Sequence, residues 1–312
     1  MNISDPLPRS RFAADCQDIL ISDTQESRRF TLLKGGTPIL DETYNYDADG
    51  NIRIAGLAQV LSQSLYGELK EGHQSYARNT FDFQIDGETQ FRKTVYAMRL
   101  QNPKDPDGQK NVLAMGTNGI CYPGQPLLVT VIGEAVVSLS RRSGTVAVCT
   151  IGEEGVVTTV DCAPKKLFPD KYGRGTYIDI EDEIERIILP QPCDELVTVR
   201  FLNRYDMPES LTALYMTEKP SAGDDTSMMY GRRVRFSVKS TTEYTIVSGR
   251  LRTERQYDTW QDLLTSRKAQ LLWRGEWVDI IITKSNYTRQ RRKMYYQNIE
   301  LSFQTANPQL AL

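Results

Sequence analysis

Asn298-Ile299-Glu300-Leu301-Ser302-Phe303-Gln304 alternates without a break: Ile299, Leu301 and Phe303 share one parity with Tyr295 before them, while Asn298, Glu300, Ser302 and Gln304 share the other. Successive side chains of an extended chain point to opposite faces, so this is a strand with one dry and one wet side. Its register is well specified, because a slip of one residue would turn every apolar side chain to water. Upstream, Trp273-Arg274-Gly275-Glu276-Trp277 lies between two hydrophobic runs. It reads as a two-residue Gly-Glu turn of type II′ with a tryptophan at each shoulder, and cross-strand pairing of the rings would hold the hairpin.

Working outward, turn residues recur every 8 to 12 positions between short apolar or alternating runs, the pattern of sandwiches and barrels. Candidate strands are 30–34, 51–54, 81–85, 94–100, 127–132, 135–139, 145–151, 156–161, 196–202, 212–216, 233–238, 244–251, 270–273, 277–283 and 294–304. The predicted fold is mainly β: tandem antiparallel β-sandwich or barrel-like modules with one or two short helices. Helical spacing is secure in two places, 54–65 (Ile54, Leu57, Leu61, Leu65) and 254–266 (Tyr257, Trp260, Leu264). A capping box of Thr253 and Gln256 starts the second. Trp260 and Leu264 are expected to pack on the sheet formed by 277–283 and 294–304, with Asp262 on the polar face, where its removal would cost little. Ile180, Ile184 and Ile187 keep helical spacing while Tyr177-Ile178-Asp179-Ile180 alternates like a strand, and both readings stand.

Pro-, Gly- and Asp-rich stretches at 102–108, 122–126, 190–194 and 218–225 read as loops or boundaries. They divide the chain into an N-terminal β-rich domain with a short helix (1–125), a central β module (126–205) and a C-terminal β module with one capped helix (206–312).

At 312 residues, with 38 Lys and Arg against 40 Asp and Glu, the chain carries a net charge of −2, which rules out a generic polyanion binder. Its single histidine, His73, sits in the polar connection Glu71-Gly72-His73-Gln74-Ser75 and removes the Ser-His-Asp and Cys-His nucleophile systems. Phosphate-loop, HExxH and GxSxG motifs are missing. Cys16, Cys121, Cys149, Cys162 and Cys193 are widely spaced without a CxxC, and read as reduced thiols packed as small hydrophobes. The N-terminus lacks the basic and apolar regions of a secretory signal, and no apolar run is long enough to span a membrane. Folding in a cytoplasm is therefore expected, with no enzyme activity, no metal and no cofactor. Asp47-Ala48-Asp49-Gly50-Asn51 reads as a turn, because an EF-hand loop would need Gly where Ile52 stands and Glu where Ala58 stands. The acidic run 181–185 reads as a solvated face. Arg289, Arg291, Arg292 and Lys293, beside Tyr295 and Tyr296, read as a solvated loop or an oligomer contact; no second basic stripe supports a nucleic-acid track.

Two stretches carry a resemblance. Residues 30–57, from Phe30-Thr31-Leu32-Leu33-Lys34 through Asp47-Ala48-Asp49-Gly50, resemble a strand, tyrosine, Asp-x-Asp-Gly and helix pattern of prophage-encoded proteins of Bacteroidetes. Phe201-Leu202-Asn203-Arg204-Tyr205-Asp206-Met207-Pro208-Glu209 and the segments 243–251, 263–266, 277–283 and 299–306 resemble the same group. The resemblance implies a structural protein of a phage tail, of the tail tip, distal tail or baseplate hub. Its partners would be itself, as a ring-type homo-oligomer, and other tail proteins. Its location would be the virion tail, with host cytoplasm during assembly. The alternative is a carbohydrate-binding β-sandwich that recognises a host-surface glycan, with Trp273 and Trp277 as the stacking residues. Two coplanar exposed rings would favour the glycan; rings buried under the helix 254–266 would favour a structural hairpin.

Overall fold

Glycine in second place sets four hairpins of this chain. Gly35-Gly36, Asp86-Gly87, Tyr230-Gly231 and Arg274-Gly275 each fill the two positions between paired strands, every one with positive φ. That is the type I′ turn, whose twist matches that of the flanking strands. The computed structural model describes residues 2–307 apart from 103–104, 106, 115–117, 174, 191–195, 250, 252–253 and 287–297.

The expected Gly-Glu turn is thus displaced by one residue, to Arg274-Gly275, because glycine takes the second central position rather than the first. Trp273 pairs with Glu276 and Leu272 with Trp277. Directly opposed residues share a face, so the two tryptophans lie on opposite faces of the hairpin and their expected pairing does not form. A β-carbon at Gly275 would meet nothing within 4 Å, so its φ of +87° alone demands glycine. Gly275→Ala is expected to cost about 1–2 kcal/mol by chemical denaturation, the penalty of a left-handed conformation for a residue with a side chain.

Several expected short strands are joined into long ones. Leu128–Arg141 pairs with Gly144–Asp161, and the register shifts between Ile132 and Glu134, where Gly133 takes a φ of +78°. A glycine that reads as a breaker stands opposite a bulge here, with residues 153–156 of the partner strand set against it alone. Likewise 218–225, expected as a loop, lies inside the strand Tyr215–Met229, which pairs with Arg232–Val247. This strand is an edge, where Pro220 can stand without breaking a ladder.

The result is mainly β and almost wholly antiparallel. A three-stranded sheet (Asn2–Ile3, Ile19–Ser22, Ile52–Ile54) and a four-stranded sheet ordered Thr37–Tyr44, Arg28–Lys34, Arg78–Ile85, Glu88–Tyr96 share one core with the helix Leu57–Ser64. A six-stranded sheet runs Gly72–His73, Gly144–Asp161, Leu128–Arg141, Tyr177–Ile180, Ile184–Ile188, Asn118–Cys121, the last pair parallel. The stretch with two open readings is therefore a hairpin, turned by Glu181 and Asp182 at positive φ. A seven-stranded sheet runs Pro208–Ala213, Val197–Leu202, Ala269–Trp273, Glu276–Asn286, Glu300–Thr305, Arg232–Val247, Tyr215–Met229. Leu301 and Phe303 are buried there as their parity requires.

The helix Glu254–Leu264 lays Tyr257, Trp260 and Leu263 into one cluster with Ile280, Ile299, Leu301 and Phe303. Thr253 of the expected capping box lies outside the described residues. Asp262 is not on a wet face: it is 1% exposed and bound by Arg204. A further short helix, Pro164–Leu167, starts on proline at its first position, where no backbone N–H is needed. No helix among the described residues is long and apolar enough to cross a membrane.

Candidate assembly site

The hairpin loop 203–207, between Val197–Leu202 and Pro208–Ala213, is the junction of the molecule. Asn203 folds it: its Oδ1 accepts from the backbone N–H of Tyr205 and Met207, and its Nδ2 donates to Leu113 O and to Glu209 Oε2, both at 2.9 Å. The turn so held drives Tyr205 and Met207, both fully buried, into the N-terminal core. Tyr205 stacks obliquely on Phe12 at 5.3 Å between centroids, and its hydroxyl accepts from Asn102 Nδ2 at 2.6 Å. Burial pushes the Tyr205 phenol well above its ordinary range.

Two ion pairs fasten the same loop to the C-terminal module. Arg204 donates from Nη2 to Asp262 Oδ1 at 2.8 Å, and its backbone N–H donates to Asp262 Oδ2 at 3.0 Å. Arg267 binds Asp206, whose side chain is 1% exposed. Backbone bonds from Arg99 and Gly67 to the carbonyls of Arg204 and Asp206 complete the clasp. Behind it, buried Arg186 faces the carboxylate of buried Glu209, which opposes the fall that burial imposes on the Arg186 pKa. A β-carbon at Gly119 would stand 2.7 Å from Arg186 Nη1, so glycine there lets the guanidinium pass. A cavity of about 90 Å³ lies alongside, lined by Gly119, Tyr122, Arg186, Ser210, Gln256 and Trp260. That volume suits a few waters and falls short of the several hundred Å³ of a small-molecule pocket.

Trp273 is half-buried against the C-terminal core. Trp277 stands on the other face, with the Arg200 guanidinium 4.2 Å from its ring centroid, so the hairpin offers no coplanar pair for a sugar. Arg289, Arg291, Arg292 and Lys293 lie outside the described residues, as do Cys193, Tyr295 and Tyr296. The described cysteines are free thiols, and burial pushes Cys16 and Cys121 up to about 12. His73 is exposed on a short strand opposite Thr158. Asp47 caps its turn, with Oδ1 accepting from the N–H of Asp49 and Asn51.

The feature that sequence reading missed is an arm. Arg232–Val247 pairs with Glu300–Thr305 only through Tyr244–Val247. Beyond that root, among the described residues, the ladder from Lys219 to Met229 is with Arg232 to Glu243, a ribbon about 36 Å long at 3.3 Å per residue. Its tip carries Tyr230, 98% exposed, and Met229, 48% exposed. The signal was present in Tyr230-Gly231, an x-Gly turn between two β-prone runs.

No protein-family model matches the chain, and no curated protein matches it. Among solved structures, a chain from the virion of a native gene transfer agent particle is similar over 30% of this chain and 80% of its own, at 10% identity and a TM-score of 0.22. A chain from the tail of an empty gene transfer agent particle, refined with C6 symmetry, is similar over 30% of this chain and 74% of its own, at 13% identity and a TM-score of 0.20.

Proposed function

We propose that this chain is a structural component of a phage tail, acting by self-assembly and by docking other tail proteins, and that it is not an enzyme. The tail comes from the resemblance of residues 30–57 and 201–209 to prophage-encoded structural proteins. Assembly rests on the arm. A two-stranded ribbon standing alone is only marginally stable in water, and this one ends in an aromatic and a methionine side chain open to solvent. Such a ribbon keeps its shape best when a neighbouring subunit covers it, and apolar side chains at its tip are what a neighbour's pocket would take. The clasp at 203–207 ties the modules behind it, so that a load on the arm reaches the whole chain.

Negative-stain imaging and sedimentation of the purified full chain, alone and mixed with candidate tail proteins, test this. Rings, tubes or mixed complexes are expected, and the double variant Met229→Ser/Tyr230→Ser should weaken them at least about tenfold with no change in melting temperature, because both side chains are exposed in the monomer. Monomers under every condition would overturn the proposal. Tight binding to a host glycan, lost on Trp277→Ala, would establish the alternative.

A further inference from the structure

Two stacked tyrosines stand beside a groove between the N-terminal and C-terminal regions. Loop 66–70, which follows the helix Leu57–Ser64, and the strands Ala269–Trp273 and Glu276–Asn286 border a space of about 600 Å³, within the range of small-molecule sites. The loop is held firmly. Gln74, 1% exposed, accepts from the Glu68 N–H at 2.8 Å and donates to Lys70 O at 2.9 Å, while the Gly67 N–H donates to Asp206 O at 3.0 Å. A β-carbon at Gly67 would collide with that carbonyl, so only glycine brings the loop this close. Tyr66, which lines the groove, and Tyr76 are 42% and 49% exposed. Their rings stack with centroids 5.0 Å apart and planes 15° apart, and the Tyr66 N–H donates to Tyr76 O. Tyr76 thus covers one face of the Tyr66 ring and leaves the opposite face for a ligand.

The polar lining of the groove is rich in directed hydrogen-bonding groups and poor in net charge. Gln270 and Asp279 are a cross-strand pair, with Gln270 Nε2 donating to Asp279 Oδ1 at 2.7 Å. Glu68 pairs with Lys70 and Arg267 with Asp206, so the exposed Lys268 and Asp279, one of each sign, leave the groove nearly neutral. That balance argues against a polyanion, whose recognition needs a cationic track. Both bordering strands have a neighbour on each side in the sheet, so they offer no free edge to a peptide strand. A sugar ring fits better. It carries C–H groups on its faces and hydroxyls around its rim, and the groove combines an aromatic face with a carboxylate, an amide and an ammonium group. We propose that the groove binds a neutral oligosaccharide, with one sugar ring on Tyr66 and its hydroxyls held by Gln270, Asp279 and Lys268. The fixed loop and the stacked rings keep the ordering cost of binding low. Neither Trp273 nor Trp277 lines the groove, and no residue of the arm takes part, so the inference does not rest on the tail reading.

A printed array of neutral, sialylated and sulfated oligosaccharides, probed with the full chain and followed by calorimetric titration of the strongest neutral one, tests this. Binding of a neutral oligosaccharide is expected. Tyr66→Ala should weaken it at least about tenfold, while Tyr66→Phe stays within about twofold of the wild type, because the ring face carries the sugar. Asp279→Ala should also weaken it about tenfold, since a carboxylate holds hydroxyls by charge-assisted bonds. Trp277→Ala should leave the affinity unchanged, which separates this groove from the hairpin, and Tyr66→Ala should leave the sedimentation profile unchanged, which separates it from assembly. Failure of every neutral oligosaccharide to bind, binding confined to the acidic ones, or an affinity lost on Trp277→Ala and kept on Tyr66→Ala overturns the proposal.

Discussion

Asp262→Ala is expected to lower the stability of the protein by about 3 kcal/mol, the low end of the cost of breaking a buried ion pair. The carboxylate is 1% exposed and holds both the guanidinium and the backbone N–H of Arg204. Removing it strands a cation whose side chain is only 16% exposed, so the loss is mainly the charge left behind. Asp262→Asn, which keeps the shape and one acceptor, should cost less than the alanine. Replacing both partners, Arg204→Met with Asp262→Leu, should recover much of the difference, since a buried pair often exchanges for apolar side chains at little net cost. Urea midpoints of the four proteins settle it, and a shift for Asp262→Ala equivalent to under about 0.5 kcal/mol, the value for an ordinary surface position, would refute the pair's role.

Tyr205→Ala should cost as much or more, about 3–5 kcal/mol, the range for a large buried aromatic. The residue belongs to a five-residue hairpin loop, 203–207, yet its ring is fully buried against Phe12 in a core built mostly from residues before 100, with Leu113, Ile132, Val157 and Met207 beside them. Tyr205→Phe separates the two contributions. It keeps the packing and forfeits the hydrogen bond from Asn102, a loss of about 1–2 kcal/mol including the donor left unsatisfied. Equal denaturation midpoints for the alanine variant and the wild type would show that the loop does not plug the core.

Much of the β architecture was legible because it rests on local rules. Leu301 and Phe303 are dry and Glu300 wet because period-two alternation leaves no other register. Tyr257 and Trp260 face the core because their spacing gives the helix one apolar side. The errors came where tertiary partners decide. Gly133 looks like a strand end, yet the opposing strand carries the ladder past it as a bulge. Asp262 looks solvated from its place on the helix; only Arg204, 58 positions upstream, makes it buried. The loop 203–207 drew no structural reading from its sequence, because nothing local in Asn203-Arg204-Tyr205-Asp206-Met207 says that its tyrosine and methionine enter the N-terminal core. Of the candidate site, Trp273 and Trp277 were rightly placed on one hairpin and wrongly on one face, because a two-residue loop puts positions of equal parity on opposite sides.

The clasp also bears on the order in which the chain can mature. Tyr205 and Asn102 are 103 positions apart, and Met207 joins the same N-terminal cluster. A nascent chain that has emerged as far as residue 200 therefore holds a socket lined by Phe12 with nothing to fill it. Contacts of such separation close late and slowly, and the exposed apolar surface meanwhile favours aggregation. The first sheets should thus wait, partly molten, for a loop made much later, and the N-terminal region and the arm-bearing region should gain protection from hydrogen exchange together in a refolding experiment.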